Sequence, residues 1–186
     1  MQFLASIRQQ KERPPSSYLT HHFADGGLPM TSLFSPYRLK DVTLRNRIVA
    51  SPMCQYQAVD GILNSWHQTH YETLAKGGAG LVVVEATAVS PRGRITPGDA
   101  GLWSDAQIPN LATVALALKE AGAVPGIQLG HAGRKAGCTP PWLGGHPLLD
   151  ADPQAWQPLG PSALPYIPAA PHVPAEMTIE DIRRTQ

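Results

Sequence analysis

No apolar run in the 186-residue chain approaches the roughly 18 to 20 residues that a membrane-spanning helix requires, so that architecture is excluded. The longest run, residues 81–86, has the length of a strand. Excess charge is lacking too: 15 Lys and Arg offset 14 Asp and Glu, leaving a formal net charge of +1 and no electrostatic footprint for nucleic acid or a lipid surface. Cysteine is scarce. Cys54 and Cys138 have no signal-peptide-like apolar segment before them, which argues for a reducing cytoplasm and against a disulfide framework. Proline, by contrast, is abundant: more than half of the 19 lie between Pro140 and Pro174, marking one long connection in an otherwise globular composition.

Residues 1–29 show neither sustained periodicity nor a core pattern, and they read as a poorly ordered leader or a start placed too early, with Met30 opening the natural chain. Lys11, Glu12 and Asp25 spoil a transit-peptide pattern. From residue 30 to 186 the text is that of one domain. Alternation on either side of Lys40-Asp41 predicts a small hairpin, and residues 48–50 a short strand that must stop at Pro52. Asp60-Gly61 predicts a turn. Asn64 or Ser65 caps a helix over 66–76, with Tyr71, Leu74 and Ala75 on its apolar face and Gly77-Gly78 at its end. A buried parallel strand over 81–86, a helix from Ser104 or Asp105 to Ala121-Gly122, and a strand over 124–129 complete about three βα units. Thr178 with Asp181 predicts a capping box opening a further helix. The expected fold class is α/β with a parallel sheet and right-handed crossovers.

The densest chemistry follows the first parallel strand, where Cys54 and Tyr56 stand two residues apart at a strand's C-terminal mouth, the edge at which parallel α/β proteins bind ligands. Cys54 reads either as a buried thiol or as a redox or cofactor contact, and Tyr56 as a packed aromatic or a general acid. Glu85 closes an apolar strand and must be paired or face the mouth. Gln128, likewise late in its strand, offers the donors and acceptors that suit a heterocycle, or a structural hydrogen bond. His131, Arg134 and Lys135 read either as a solvated basic loop or, directly after a strand, as a substrate or structural anchor. His67 and His70 have helical spacing but no acidic or cysteine ligand at a matching offset, so a surface or helix-packing role is preferred to metal binding. Gly77, Gly78 and Gly80 follow a helix and precede a strand, the wrong order for a phosphate-cradling turn.

Six ordered motifs, Ser51-Pro-Met-Cys-Gln-Tyr56, Trp66-His-Gln-Thr-His-Tyr71, Val84-Glu-Ala-Thr87, Gly93-Arg-Ile-Thr96, Gly101-Leu-Trp-Ser-Asp105 and Gly126-Ile-Gln-Leu-Gly-His-Ala-Gly-Arg-Lys135, together resemble the old yellow enzyme family. The likeness is to its xenobiotic-reductase and thermophilic-like ene-reductases, and runs from about Leu33 to the end. The resemblance implies the N-terminal portion of a TIM (β/α)8 barrel that binds FMN, takes hydride from NADPH or NADH, and reduces enone-type small molecules. Carried over by position, Ser51, Pro52, Met53 and Cys54 would line the flavin, with Cys54 tuning its potential. Ala86 would lie against the ring, Gln128 would bond its pyrimidine edge, and Tyr56 would face the substrate as a contact or proton donor. A barrel of this kind needs roughly 250 residues, and only three of its strands are legible. The later histidine motif, the arginine beside the flavin and the phosphate-binding loops of the family are not found. The expectation is therefore a truncated chain, or one that works as a homo-oligomer or with a complementing chain that supplies the later strands.

Overall fold

The computed structural model describes residues 32–168, 170 and 172–186; the expected leader, residues 1–29, lies outside them. Residues Leu33–Gln186 form one compact unit. It begins with the hairpin β1 (Tyr37–Leu39) and β2 (Val42–Leu44), antiparallel with Leu39 opposite Val42. Its reversal needs Lys40 at φ 52, a left-handed conformation that a two-residue hairpin turn imposes.

The centre is a parallel sheet in the order β3 (Val49–Ala50), β4 (Leu81–Ala88), β5 (Val124–Gly130). Helix α1 (Ser65–Lys76) crosses from β3 to β4 and α2 (Ile108–Glu120) from β4 to β5. The core forms where the helices meet the sheet: Tyr71 and Ala75 from α1, Val114 and Leu118 from α2, and Val82 and Val84 from β4 are buried together with Leu63 and Ala79. α1 starts where expected, because the Asn64 side chain accepts the Trp66 N–H at 3.0 Å while His67 Nδ1 accepts the Asn64 N–H at 3.2 Å. Asp60 and Gly61, at φ 50 and 76, make the tight turn between Val59 and Ile62.

Arg45 joins the ends of both crossovers. Its guanidinium donates to Ala75 O at 2.5 Å in the last turn of α1, to Ala79 O at 2.9 Å just after it, and to Ala121 O at 3.1 Å just after α2. A cation placed on carbonyls at the helix ends, of which Ala75 O also accepts the Gly78 N–H, complements both helix dipoles.

Three features depart from the sequence expectation. β4 and β5 run on through Ala88 and Gly130, where Thr87–Leu129 and Ala88–Gly130 pairing continues the ladder past the buried acid. The second helix opens as a 3-10 turn, Asp105–Gln107, capped by Ser104, and becomes α-helical at Ile108 before Pro109. Within the proline-rich connection, β6 (Leu159–Gly160) pairs in parallel with β7 (Ala175–Glu176), two residues each and too short to leave a periodic signal. The expected Thr178–Asp181 capping box opens α3 (Ile179–Thr185). Among the described residues no helix is long and apolar enough to cross a membrane.

Candidate functional site

The register of β4 on β5 determines what reaches the C-terminal edge. Val84 pairs with Ile127 and Ala86 with Gln128, so Glu85 is an extra residue, a β-bulge. Without it, a strict two-residue alternation would turn Glu85 toward the face of Gln128 and Ala86 toward the helices. With it, Glu85 stays on the α1 side, fully buried, and Ala86 comes out beside Gln128. A cavity of about 250 Å³ opens there, lined by Ala86, Gln128, Asp99 and His131 among others.

Residues Ser51 and Pro52 carry the chain off the end of β3 to Met53, which is 51% exposed, and Cys54, which is half-buried. The Cys54 sulfur interacts with the Ala86 N–H and the Tyr56 hydroxyl. Burial pushes its thiol pKa up, and the carboxyl groups of Asp99 and then Glu85 push it further, so the group holds its proton. Tyr56 is pushed up to about 12, first by burial and then by Cys54 and Asp99. Its backbone is left-handed, φ 55, and Gly98 packs against it: a Cβ on Gly98 would lie 2.4 Å from Tyr56 O. The Tyr56 ring meets Trp142 edge-on, with centroids 5.6 Å apart.

The structure thus brings Cys54, Tyr56, Ala86 and Gln128 to one mouth, with Ser51–Met53 leading into it. Glu85 is paired and does not face the mouth. Its Oε1 accepts the Tyr71 hydroxyl at 2.9 Å, its Oε2 accepts the Gln55 N–H at 2.9 Å, and Tyr71 in turn accepts the Glu85 N–H at 2.9 Å. His67 Nε2 stands 3.5 Å from Oε1, and burial holds this histidine neutral, its pKa lowered to about 4. The i, i+3 histidines are therefore helix-packing groups, at least at His67, which is fully buried. Beside the mouth, His131 Nδ1 accepts the Gly133 N–H at 3.0 Å, and Arg134 and Lys135 belong to a 3-10 turn.

Two neighbours escape sequence reasoning. Asp99 is buried, with its carboxylate accepting the Ile95 N–H at 2.6 Å and the Thr96 hydroxyl at 2.7 Å. The Thr-Pro-Gly-Asp turn at 96–99 is a readable signal for that local structure, although not for its approach to Cys54. Trp142 comes from the proline-rich connection, and nothing local in the sequence announces its contact with Tyr56. The apolar groove of about 370 Å³ between α2 and β5 holds no ionisable side chain and lies outside this cluster.

Comparison with known proteins places these features in context. Residues 32–185 match the NADH:flavin oxidoreductase / NADH oxidase family. The chain is 44% identical over 157 residues to an NADPH dehydrogenase of Geobacillus sp. (strain WCH70), covering 83% of this chain and 41% of that protein. It is 42% identical over 154 residues to an NADH:flavin oxidoreductase of Gibberella zeae, covering 82% of this chain and 37% of the relative. Among solved structures, morphinone reductase superposes with a TM-score of 0.66 at 27% identity, over 82% of this chain and 41% of its own. The old yellow enzyme from Trypanosoma cruzi gives 0.63 at 32%, over 81% and 43%. The chain thus spans well under half the length of these relatives.

Proposed function

This chain belongs to the NADH:flavin oxidoreductase / NADH oxidase family, and we propose that it supplies the flavin-facing part of an FMN-dependent NAD(P)H oxidoreductase. Its substrates on this reading are small molecules with an electron-poor C=C bond, such as α,β-unsaturated carbonyls. The observation that carries the reading is the bulged register of β4 on β5, which sets Ala86 beside Gln128 and next to the Cys54 thiol at one mouth. We assign the flavin-binding domain to residues 30–186.

The residues fit the group. A flat heterocycle needs a small side chain under it, which Ala86 provides, and an amide at its alternating N–H and C=O edge, which Gln128 provides. Ser51, Pro52 and Met53 would line the ring beside them. Cys54 would act as a neutral S–H donor, because burial and two carboxyl groups oppose its ionisation. FMN, when bound, supplies hydride transfer from NAD(P)H to the substrate; the protein's part is placement and electronic tuning. Tyr56 serves better as a substrate contact than as the acid, since its hydroxyl is engaged with Cys54 and its pKa is pushed up to about 12.

Titrating the purified chain with FMN and following flavin fluorescence tests this. Saturable quenching that weakens on Gln128→Ala is expected, with a shift of the flavin absorption band on Cys54→Ala. Unsaturable binding that is indifferent to both substitutions would overturn the reading. A second reading, a subunit active only with a complementing chain, is favoured by the exposed apolar residues on both outer strands of the sheet, Val49 at 46% and Leu129 at 55%. Co-purification of a yellow complex containing a second polypeptide, with enone reduction confined to the complex, would decide for it.

A further inference from the structure

Glu85 is a fully buried carboxylate in a chain with no general surplus of acid, and it sits at the one irregularity between β4 and β5. Two hydrogen-bond donors and a neighbouring histidine converge on it. Tyr71 donates its hydroxyl to Oε1, His67 presents Nε2 at 3.5 Å, and the Gln55 backbone N–H donates to Oε2 at 2.9 Å. The Asn64 N–H donates to His67 Nδ1 and so leaves the proton of a neutral ring on Nε2, near the carboxylate but not hydrogen-bonded to it. Tyr71 and His67 belong to α1, whereas Gln55 lies in the segment between Cys54 and Tyr56. One side chain therefore bridges the helix that packs the core and the loop that carries the chemistry.

We propose that Glu85 is the positioning residue of the mouth: its bond to the Gln55 N–H fixes where the Cys54 thiol and the Tyr56 phenol stand. That these groups face a flavin rests on the functional reading above; the anchoring itself does not. The left-handed backbone of Tyr56 is held because the chain is tied on both sides, at Gln55 by Glu85 and at Tyr56 by close contact with Gly98. An apolar residue at 85 would leave the Gln55 N–H and the Tyr71 hydroxyl buried without an acceptor. A glutamine would keep an oxygen for Gln55 while removing the charge that, with Asp99, faces Cys54.

The test needs no flavin. The rate of Cys54 alkylation by iodoacetamide is followed from pH 7 to pH 11 and fitted for the limiting rate of the ionised thiol, the high-pH plateau, with peptide mass mapping to separate it from Cys138. Glu85→Ala is expected to raise the high-pH plateau about tenfold, as the segment opens. Glu85→Gln is expected to keep that plateau within about twofold of the parent while its profile moves to lower pH. Tyr71→Phe, which leaves the Gln55 bond in place, is expected to leave the plateau unchanged. Equal profiles in Glu85→Ala and the parent, or a Glu85→Gln plateau as high as that of Glu85→Ala, would sink the proposal. Should Glu85→Ala fail to fold, hydrogen exchange at the Gln55 amide of the parent chain decides. Protection of about tenfold or more is expected, and free exchange overturns the anchor. Failure of FMN to bind would count against the functional reading and leave these outcomes intact.

Discussion

A thiol donates a hydrogen bond only while it keeps its proton, and the surroundings of Cys54 ensure that it does. Burial is the largest cause of its raised pKa, with Asp99 next and Glu85 third. Asp99→Asn should therefore lower the Cys54 titration midpoint more than Glu85→Gln does, as read from thiolate absorbance against pH. His67 gives a prediction of the opposite kind. Its pKa is lowered from 6.5 to about 4, so folding stability from this group is fully present above pH 6.5 and is lost as the pH falls toward 4. Glu85 and Asp99, both raised, contribute with the reverse sign, since the folded state holds their protons longer. Urea midpoints measured between pH 7 and pH 4 should consequently fall less steeply in His67→Gln than in the parent. Gly98 is fixed by space: an alanine there would set its Cβ 2.4 Å from Tyr56 O, against backbone that cannot swing aside. A loss of about 2 kcal/mol is expected for Gly98→Ala in the same urea assay.

At the scale of elements, Arg45 shows why the hairpin end matters to the site. By bonding carbonyls at the ends of both α1 and α2, it sets the two helices at the bottom of β4 and β5 and so supports the register that presents Ala86 and Gln128. Arg45→Met should cost about 2 kcal/mol in thermal or urea unfolding, and Arg45→Lys should restore only part, because an ammonium cannot reach three carbonyls with a planar fork. The elements themselves were largely legible: the hairpin at Lys40-Asp41, the Asn64 cap, the glycine end of α1 and the Thr178 capping box each depend on a few adjacent residues. The candidate site was legible only in its members. The two-residue alternation that locates a strand cannot announce a bulge, and it is the bulge that decides whether Glu85 or Ala86 faces the mouth. The approach of Asp99 to Cys54 and of Trp142 to Tyr56 depends on how distant loops close, which no local pattern encodes.

For the whole molecule, the decisive feature is that β4 is paired on both sides while, among the described residues, β3 and β5 each have one unpaired edge. The helices cover one face of the sheet, yet on β5 Ile127, beside the apolar groove that α2 leaves open, and Leu129, at the mouth cavity, remain 40% and 55% exposed. Hydrogen-bonding backbone and apolar side chains along one free strand make a template for another strand. Relatives more than twice as long as the matched portion have further chain with which to cover such an edge; this unit by itself does not cover it. The isolated chain is therefore expected to self-associate with rising concentration in sedimentation velocity, through the β5 edge. Leu129→Lys should shift it toward monomer, because a charge on a free strand opposes a second strand docking there, while Ala86 and Gln128 keep their register. A chain that sediments as a monomer across a hundredfold concentration range, with or without the lysine, would show that this edge is protected by some other means.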